Sequence, residues 1–205
     1  MDNYKKNLKL LTENHVYSKD MEHDACGVGV IASTEGKKSR EIVEYGIEAL
    51  KAVWHRGAVD ADGKTGDGAG IHVEIPKDFF IEKIEVTGHD YDNSEICVGM
   101  IFLPRNDYSS QESCKTIVES ELTKNDFSIY GWRQVPVNPK ILGEKAFQTM
   151  PEIIQVLFKS NDPNLIDKNL ERKIYETRKK IENKAFELSL NNFYICSISS
   201  KSIIY

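Results

Sequence analysis

The sequence predicts an α+β domain built in layers. Three observations lead there. About seven short segments alternate apolar and polar residues as strands do, and four or five longer ones carry helical spacing. The strands group next to pairs of helices and do not alternate with them one for one, which argues against a regular βαβ array. No internal repeat or low-complexity segment suggests a solenoid or a linker. The length of 205 residues is enough for one domain with its own core.

Taken in order, residues 1–25 are polar and weakly patterned, and read as an extension or leader with regular order beginning at Ala25. The run Cys26 to Ala32 is apolar and β-prone, hence a first strand. Ser39 can cap a helix in which Ile42, Val43, Ile47, Leu50, Val53 and Trp54 recur at helical spacing, with Gly57 as its stop. A loop follows, with glycines at 57, 63, 66, 68 and 70, and leads into the strand Ile71 to Pro76. A helix fits 77–84, a strand 95–103 and a helix 109–124. Phe127 to Val137 reads as a strand stopped by Pro136 and Pro139, followed by a helix at 140–148. A strand at 152–159 precedes the longest helix, 164–189. Two last strands flank Ser200-Lys201, which suggests a hairpin.

Composition excludes several classes. A net charge of -5 is wrong for a general nucleic-acid binder, which needs a clustered basic surface. The basic stretch Arg172 to Lys184 is interleaved with Glu176 and Glu182 and reads as a solvated helix face. No apolar run approaches the roughly 20 residues of a membrane span, and the first 25 residues lack a signal-peptide core, so a cytoplasmic protein with no membrane partner is expected. The cysteines at 26, 97, 114 and 196 are widely scattered, without C-x-x-C spacing, so no metal site is expected.

Three features bear on chemistry. Cys26 opens the first strand and is followed by Gly27 and Gly29, which would let a substrate approach closely; by itself, a cysteine there reads more readily as a small core residue. Gly63-Lys64-Thr65 invites a phosphate-loop reading, but that motif needs a glycine where Ala58 stands, and this loop follows a helix and precedes a strand, the reverse of the required context. His55-Arg56-Gly57 closes a helix, where a cation complements the dipole and a glycine ends the helix.

In series, Cys26-Gly27-Val28-Gly29, Trp54-His55-Arg56-Gly57-Ala58 and Asp62-Gly63-Lys64-Thr65-Gly66-Asp67-Gly68-Ala69-Gly70 closely resemble the start of the class II glutamine amidotransferase domain of glutamate synthase large subunits, an N-terminal-nucleophile hydrolase. The resemblance continues through Gly131-Trp132-Arg133-Gln134-Val135-Pro136, Leu142-Gly143-Glu144 and Phe193-Tyr194-Ile195-Cys196-Ser197. It implies a four-layer αββα sandwich of two antiparallel sheets flanked by helices, here expected to be incomplete. It implies residues 1–25 as a propeptide cut between Ala25 and Cys26, and residues 26–205 as the N-terminal part of the amidotransferase domain. Cys26 would be the nucleophile, and His55, Arg56 and Gly57 would line or adjoin the glutamine pocket. L-glutamine is the implied substrate and 2-oxoglutarate the acceptor of its nitrogen. Downstream synthase domains, and in some systems a small reductase subunit, are the implied partners. FMN and an iron–sulfur cluster belong to the full-length enzyme, with none expected in this chain. The electron donor, NADPH, NADH or ferredoxin, is left open.

The chemistry is coherent with that resemblance. A glutamine amide is a poor electrophile, and cysteine is the most nucleophilic of the ordinary side chains. A freed α-amino group, with a pKa of roughly 7.7–8.0, can shuttle the proton. The sequence also departs from the family. It contains no Asn-Gly dipeptide, the family's source of oxyanion donors, and the motif bearing the arginine that grips the glutamine α-carboxylate has no counterpart. The isolated chain is therefore expected to be impaired as a glutaminase. The alternative is a non-catalytic fragment of the same fold with a structural or regulatory role.

Overall fold

The computed structural model describes residues 2–14, 27–54 and 57–205. Helices α1 (Asp2–Asn14), α2 (Arg40–Ala52), α3 (Lys77–Val86), α4 (Tyr108–Lys124), α5 (Glu144–Thr149) and α6 (Asp167–Glu187) alternate irregularly with strands β1 (His72–Glu74), β2 (Cys97–Leu103), β3 (Phe127–Gln134), β4 (Glu152–Ser160), β5 (Tyr194–Ser199) and β6 (Ser202–Ile204). The strands form two antiparallel sheets, one of four in the order β3-β4-β2-β5 and one of two, β1-β6.

The central strand β2 explains the layers. Its sequence CVGMIFL is apolar throughout, as a strand covered on both faces must be. Cys97, Ile101 and Leu103 face α4 and α6, joining Val118, Leu122, Ile174 and Ile181 in one core. Val98 and Met100 face the other way, toward Ile203 of β6 and Phe80 and Ile84 of α3. The second sheet is only two strands wide, so α3 covers what it leaves open. On the far side of that sheet Glu74 pairs with Lys38 at 2.5 Å, and Gly46 of α2 comes close to Ile71. Helices thus flank two antiparallel sheets, the α+β sandwich the sequence implied.

Local chemistry sets the element ends. Asp107 caps α4, accepting from the Ser110 amide at 3.0 Å, which satisfies one of the helix's free N–H groups. In β3, Tyr130 is an extra residue between the pairs Ile129–Phe158 and Gly131–Leu157. Gly131 has φ +150 and packs against Thr87, so a bulge with a glycine shifts Trp132 onto the helix-facing side.

Four expectations need correction. Regular order does not begin at Ala25, because residues 2–14 form α1; lysine, leucine and glutamate are good helix formers, and Lys9 and Glu13 face each other one turn apart at 3.7 Å. Residues 27–33 form no strand: Val28 and Val30 are 89% and 86% exposed, and a β-prone run without a ladder partner gains nothing from extension. The helix expected at 140–148 is split into a 3-10 turn at Pro139–Ile141 and α5, with Gly143 as the break. The last two strands are not a hairpin. β5 pairs with β2 and β6 with β1, so Ser200-Lys201 carries the chain from one sheet to the other. Glu171 of α6 fixes that crossing by accepting from Ser199 Oγ, Ser200 N and Ser200 Oγ at 2.7–2.9 Å.

Candidate active site

Helix α2 delivers the chain to the segment singled out by sequence. Ser39 occupies its N-cap position without a side-chain cap bond, and the helix ends at Ala52, earlier than the glycine stop suggested. Gly57 donates its amide to Trp54 O at 3.0 Å, and Trp54 is 77% exposed. Cys26, Ala25, His23, Asp24, His55 and Arg56 lie outside the described residues, so of the predicted site residues only Gly57 has a described position.

From Gly57 the chain folds back on itself. Ala58 N donates to Asp67 Oδ2 at 2.9 Å, Asp67 N donates to Ala58 O at 3.3 Å, and Val59 bridges Gly66. Asp60 N donates to Thr65 O at 2.7 Å. At the tip, Asp62 accepts from Lys64 N at 2.9 Å, from Thr65 N at 2.7 Å and from Thr65 Oγ1 at 2.5 Å. These donors hold the Asp62 carboxyl well below the usual carboxylate range, the Thr65 hydroxyl first and the Lys64 and Thr65 amides next. Beyond the loop, Ile71 and Tyr205 exchange backbone bonds at 2.8 and 2.9 Å, anchoring its far end beside β1 and β6.

This geometry disposes of the phosphate-loop reading. The amides that would cradle a phosphate point at an aspartate, and an anion cannot displace a carboxylate that is covalently part of the loop. The loop is instead docked on α5. Lys145 reaches Asp60 at 2.6 Å, and Ala146 N reaches Thr65 Oγ1 at 3.4 Å. Gly143 lies so close that a Cβ there would fall inside contact distance of Thr65 and Asp62. Sequence reasoning treated Asp62, Thr65 and Gly143 as parts of two separate motifs. Its available signal was an aspartate with a threonine three residues on, the pattern of a side chain capping its own turn.

The remaining cysteines sit apart from this region. Cys97 and Cys114 are fully buried and Cys196 partly so. Burial pushes all three thiols up, Cys114 to about 11. Among the described residues no group of three His, Cys, Asp or Glu side chains could hold a metal ion. Among the same residues no helix is long and apolar enough to cross a membrane.

Two antiparallel sheets flanked by helices, with a pinned glycine loop docked on α5, define the chain as an α+β sandwich domain. The sequence matches the family described as Glutamine amidotransferases class-II over residues 26–205, and the chain belongs to that family. It is 51% identical over 202 residues to the glutamate synthase [NADPH] large chain of Azospirillum brasilense, covering 98% of this chain and 13% of that one. It is 40% identical over 191 residues to the ferredoxin-dependent glutamate synthase of Antithamnion sp., covering 90% of this chain and 12% of that one. It is likewise 40% identical over 186 residues to the ferredoxin-dependent glutamate synthase 1, chloroplastic/mitochondrial, of Arabidopsis thaliana, covering 90% and 11%. The chain therefore spans only 11–13% of the length of these relatives.

Proposed function

We propose that this chain is the glutaminase part of a glutamate synthase, with Cys26 as nucleophile once residues 1–25 are removed. The observation that carries the reading is that the family match begins at residue 26, on the cysteine itself. Cutting the Ala25–Cys26 bond creates the α-amino group that the chemistry needs. That amine takes the proton from the Cys26 thiol as sulfur attacks the glutamine δ-carbonyl. The proton passes to the leaving nitrogen, ammonia departs, and a γ-glutamyl thioester remains. Water, deprotonated by the same amine, cleaves the thioester and releases glutamate. His55, Arg56 and Gly57 line or adjoin the glutamine pocket, and the loop from Gly63 to Gly70 shapes its wall.

The ammonia is destined for 2-oxoglutarate. Synthase domains carrying FMN and an iron–sulfur cluster perform that step, with a small reductase subunit as a further partner in some systems. A second reading is a fragment of the same fold without turnover. Intact mass and labelling separate the two. The first reading expects a mass lacking residues 1–25, and covalent labelling of Cys26 by a diazoketone analogue of L-glutamine that L-glutamine itself prevents. A full-length mass, with Cys26 indifferent to glutamine, would overturn it in favour of the non-catalytic fragment.

A further inference from the structure

The loop Gly57–Asp67 has no packed core of its own: apart from the half-buried Asp60 and Thr65, its residues are exposed. Such a loop keeps one shape only if polar contacts fix it. Those contacts converge on Asp62. Its two oxygens take the Lys64 and Thr65 amides and the Thr65 hydroxyl. The Thr65 hydroxyl in turn accepts from Ala146 N, and Asp60 beside it binds Lys145 at 2.6 Å. Gly143 permits the approach, since any side chain there would collide with Thr65 and Asp62. Two chain segments about 80 residues apart are thereby latched together.

The latch has a consequence along the chain. Thr65 O holds Asp60 N, and Asp67 holds both the amide and the carbonyl of Ala58, so a fixed tip transmits a fixed base at Gly57. We propose that Asp62 is a positioning residue for the glutamine site. Packed against Gly143 and holding the Thr65 hydroxyl that takes the Ala146 amide, it sets the loop that leaves Gly57, itself one of the residues assigned to the pocket. This rests on the glutaminase reading above. Asp62 acts through the placement of Gly57, and a displacement of about 1 Å in a pocket segment can cost about a hundredfold in rate.

The test uses the 205-residue chain and the variants Asp62→Ala, Thr65→Val and Thr65→Ser. Amide hydrogen exchange is followed at Ala58, Asp60, Thr65 and Ala146, alongside labelling of Cys26 by the diazoketone glutamine analogue and by iodoacetamide. In Asp62→Ala and Thr65→Val, all four amides should exchange about tenfold faster while those of β2 and β4 keep their protection. Selectivity for the glutamine analogue over iodoacetamide should fall about tenfold or more. Thr65→Ser, which keeps the hydroxyl, should restore both; this pair decides even if Asp62→Ala does not fold. Faster exchange confined to residues 62–65, with Ala58 unchanged, overturns the proposal, as does unchanged selectivity. If the unmodified chain shows no selectivity at all, the glutaminase reading fails by itself, and exchange at Ala58 still decides whether the latch sets the Gly57 loop.

Discussion

Gly143 stands against Thr65 with no room for a side chain: a Cβ added to it would lie 2.5 Å from the Thr65 amide nitrogen and closer still to the Thr65 hydroxyl. Gly143→Ala should therefore destabilise the chain by about 1–3 kcal/mol, read as a lowered midpoint in urea. The cost should shrink in a Thr65→Gly background, because the two residues share one clash. Strict additivity of the two changes would contradict this placement.

Tyr130 donates its hydroxyl to Asp92 Oδ1 at 2.9 Å, and Lys159 grips the other oxygen of Asp92. Lys159 first, then Ser94, holds the Asp92 carboxyl well below the usual carboxylate range. A depressed carboxylate contributes stability that is fully present above its unfolded pKa, near 3.9, and is lost as pH falls below it. Urea midpoints of the native chain should thus drop more steeply below about pH 4 than those of Asp92→Asn. Parallel curves would show that the cluster adds no pH-dependent stability.

Gln155 is fully buried in β4, and its Oε1 accepts from Arg133 at 2.7 Å, which leaves Nε2 as the outward donor. Among the described residues that nitrogen has no hydrogen-bond partner. An unmatched buried donor costs about 1–3 kcal/mol, close to what one bond to a charged group returns. Gln155→Met should then lie within about 1 kcal/mol of the native chain, whereas Leu157→Ala two residues on should cost about 2–5 kcal/mol. Chemical denaturation of both decides; a large loss in Gln155→Met would mean that the amide is satisfied.

Thiol chemistry offers a fourth check. Cys97 and Cys114 are sealed in the core and desolvation raises both, with Cys196 raised likewise. The thiolate is the reacting species, so at about pH 8 iodoacetamide should modify the native chain at Cys26 at least tenfold faster than at the other three. Peptide mapping of a time course would test this. Rapid modification of Cys97 would contradict its burial.

Much of the fold was legible because β2 is a wholly apolar run of strand length and α6 carries a helical period, with Leu170, Ile174, Ile181 and Ala185 on one side. Register and partners were not legible. Nothing local distinguishes a hairpin at Ser200-Lys201 from a crossing between sheets; Glu171, nearly thirty residues earlier, makes that choice. The strand expected from Cys26 to Ala32 had the right composition, but among the described residues no neighbour pairs with residues 27–33. For the site, the glycine loop could be found by motif, while its docking on α5 could not. Thr65 and Ala146 are 81 positions apart, and a window of local spacing holds no information about such a pair.

The pairing of β1 with β6 has a bearing on how the molecule is made. His72 meets Ser202 across 130 positions, and Ile71 is tied to Tyr205, whereas the strands and helices from Cys97 to Ser199 find one another over shorter stretches. Contacts that close long loops form late. On a ribosome, the four-stranded sheet and its two helices can assemble while β1 still waits for a partner not yet synthesised. The glycine loop can take its shape once residues 143–146 are made, but its far end, tied through Ile71 to Tyr205, is anchored last.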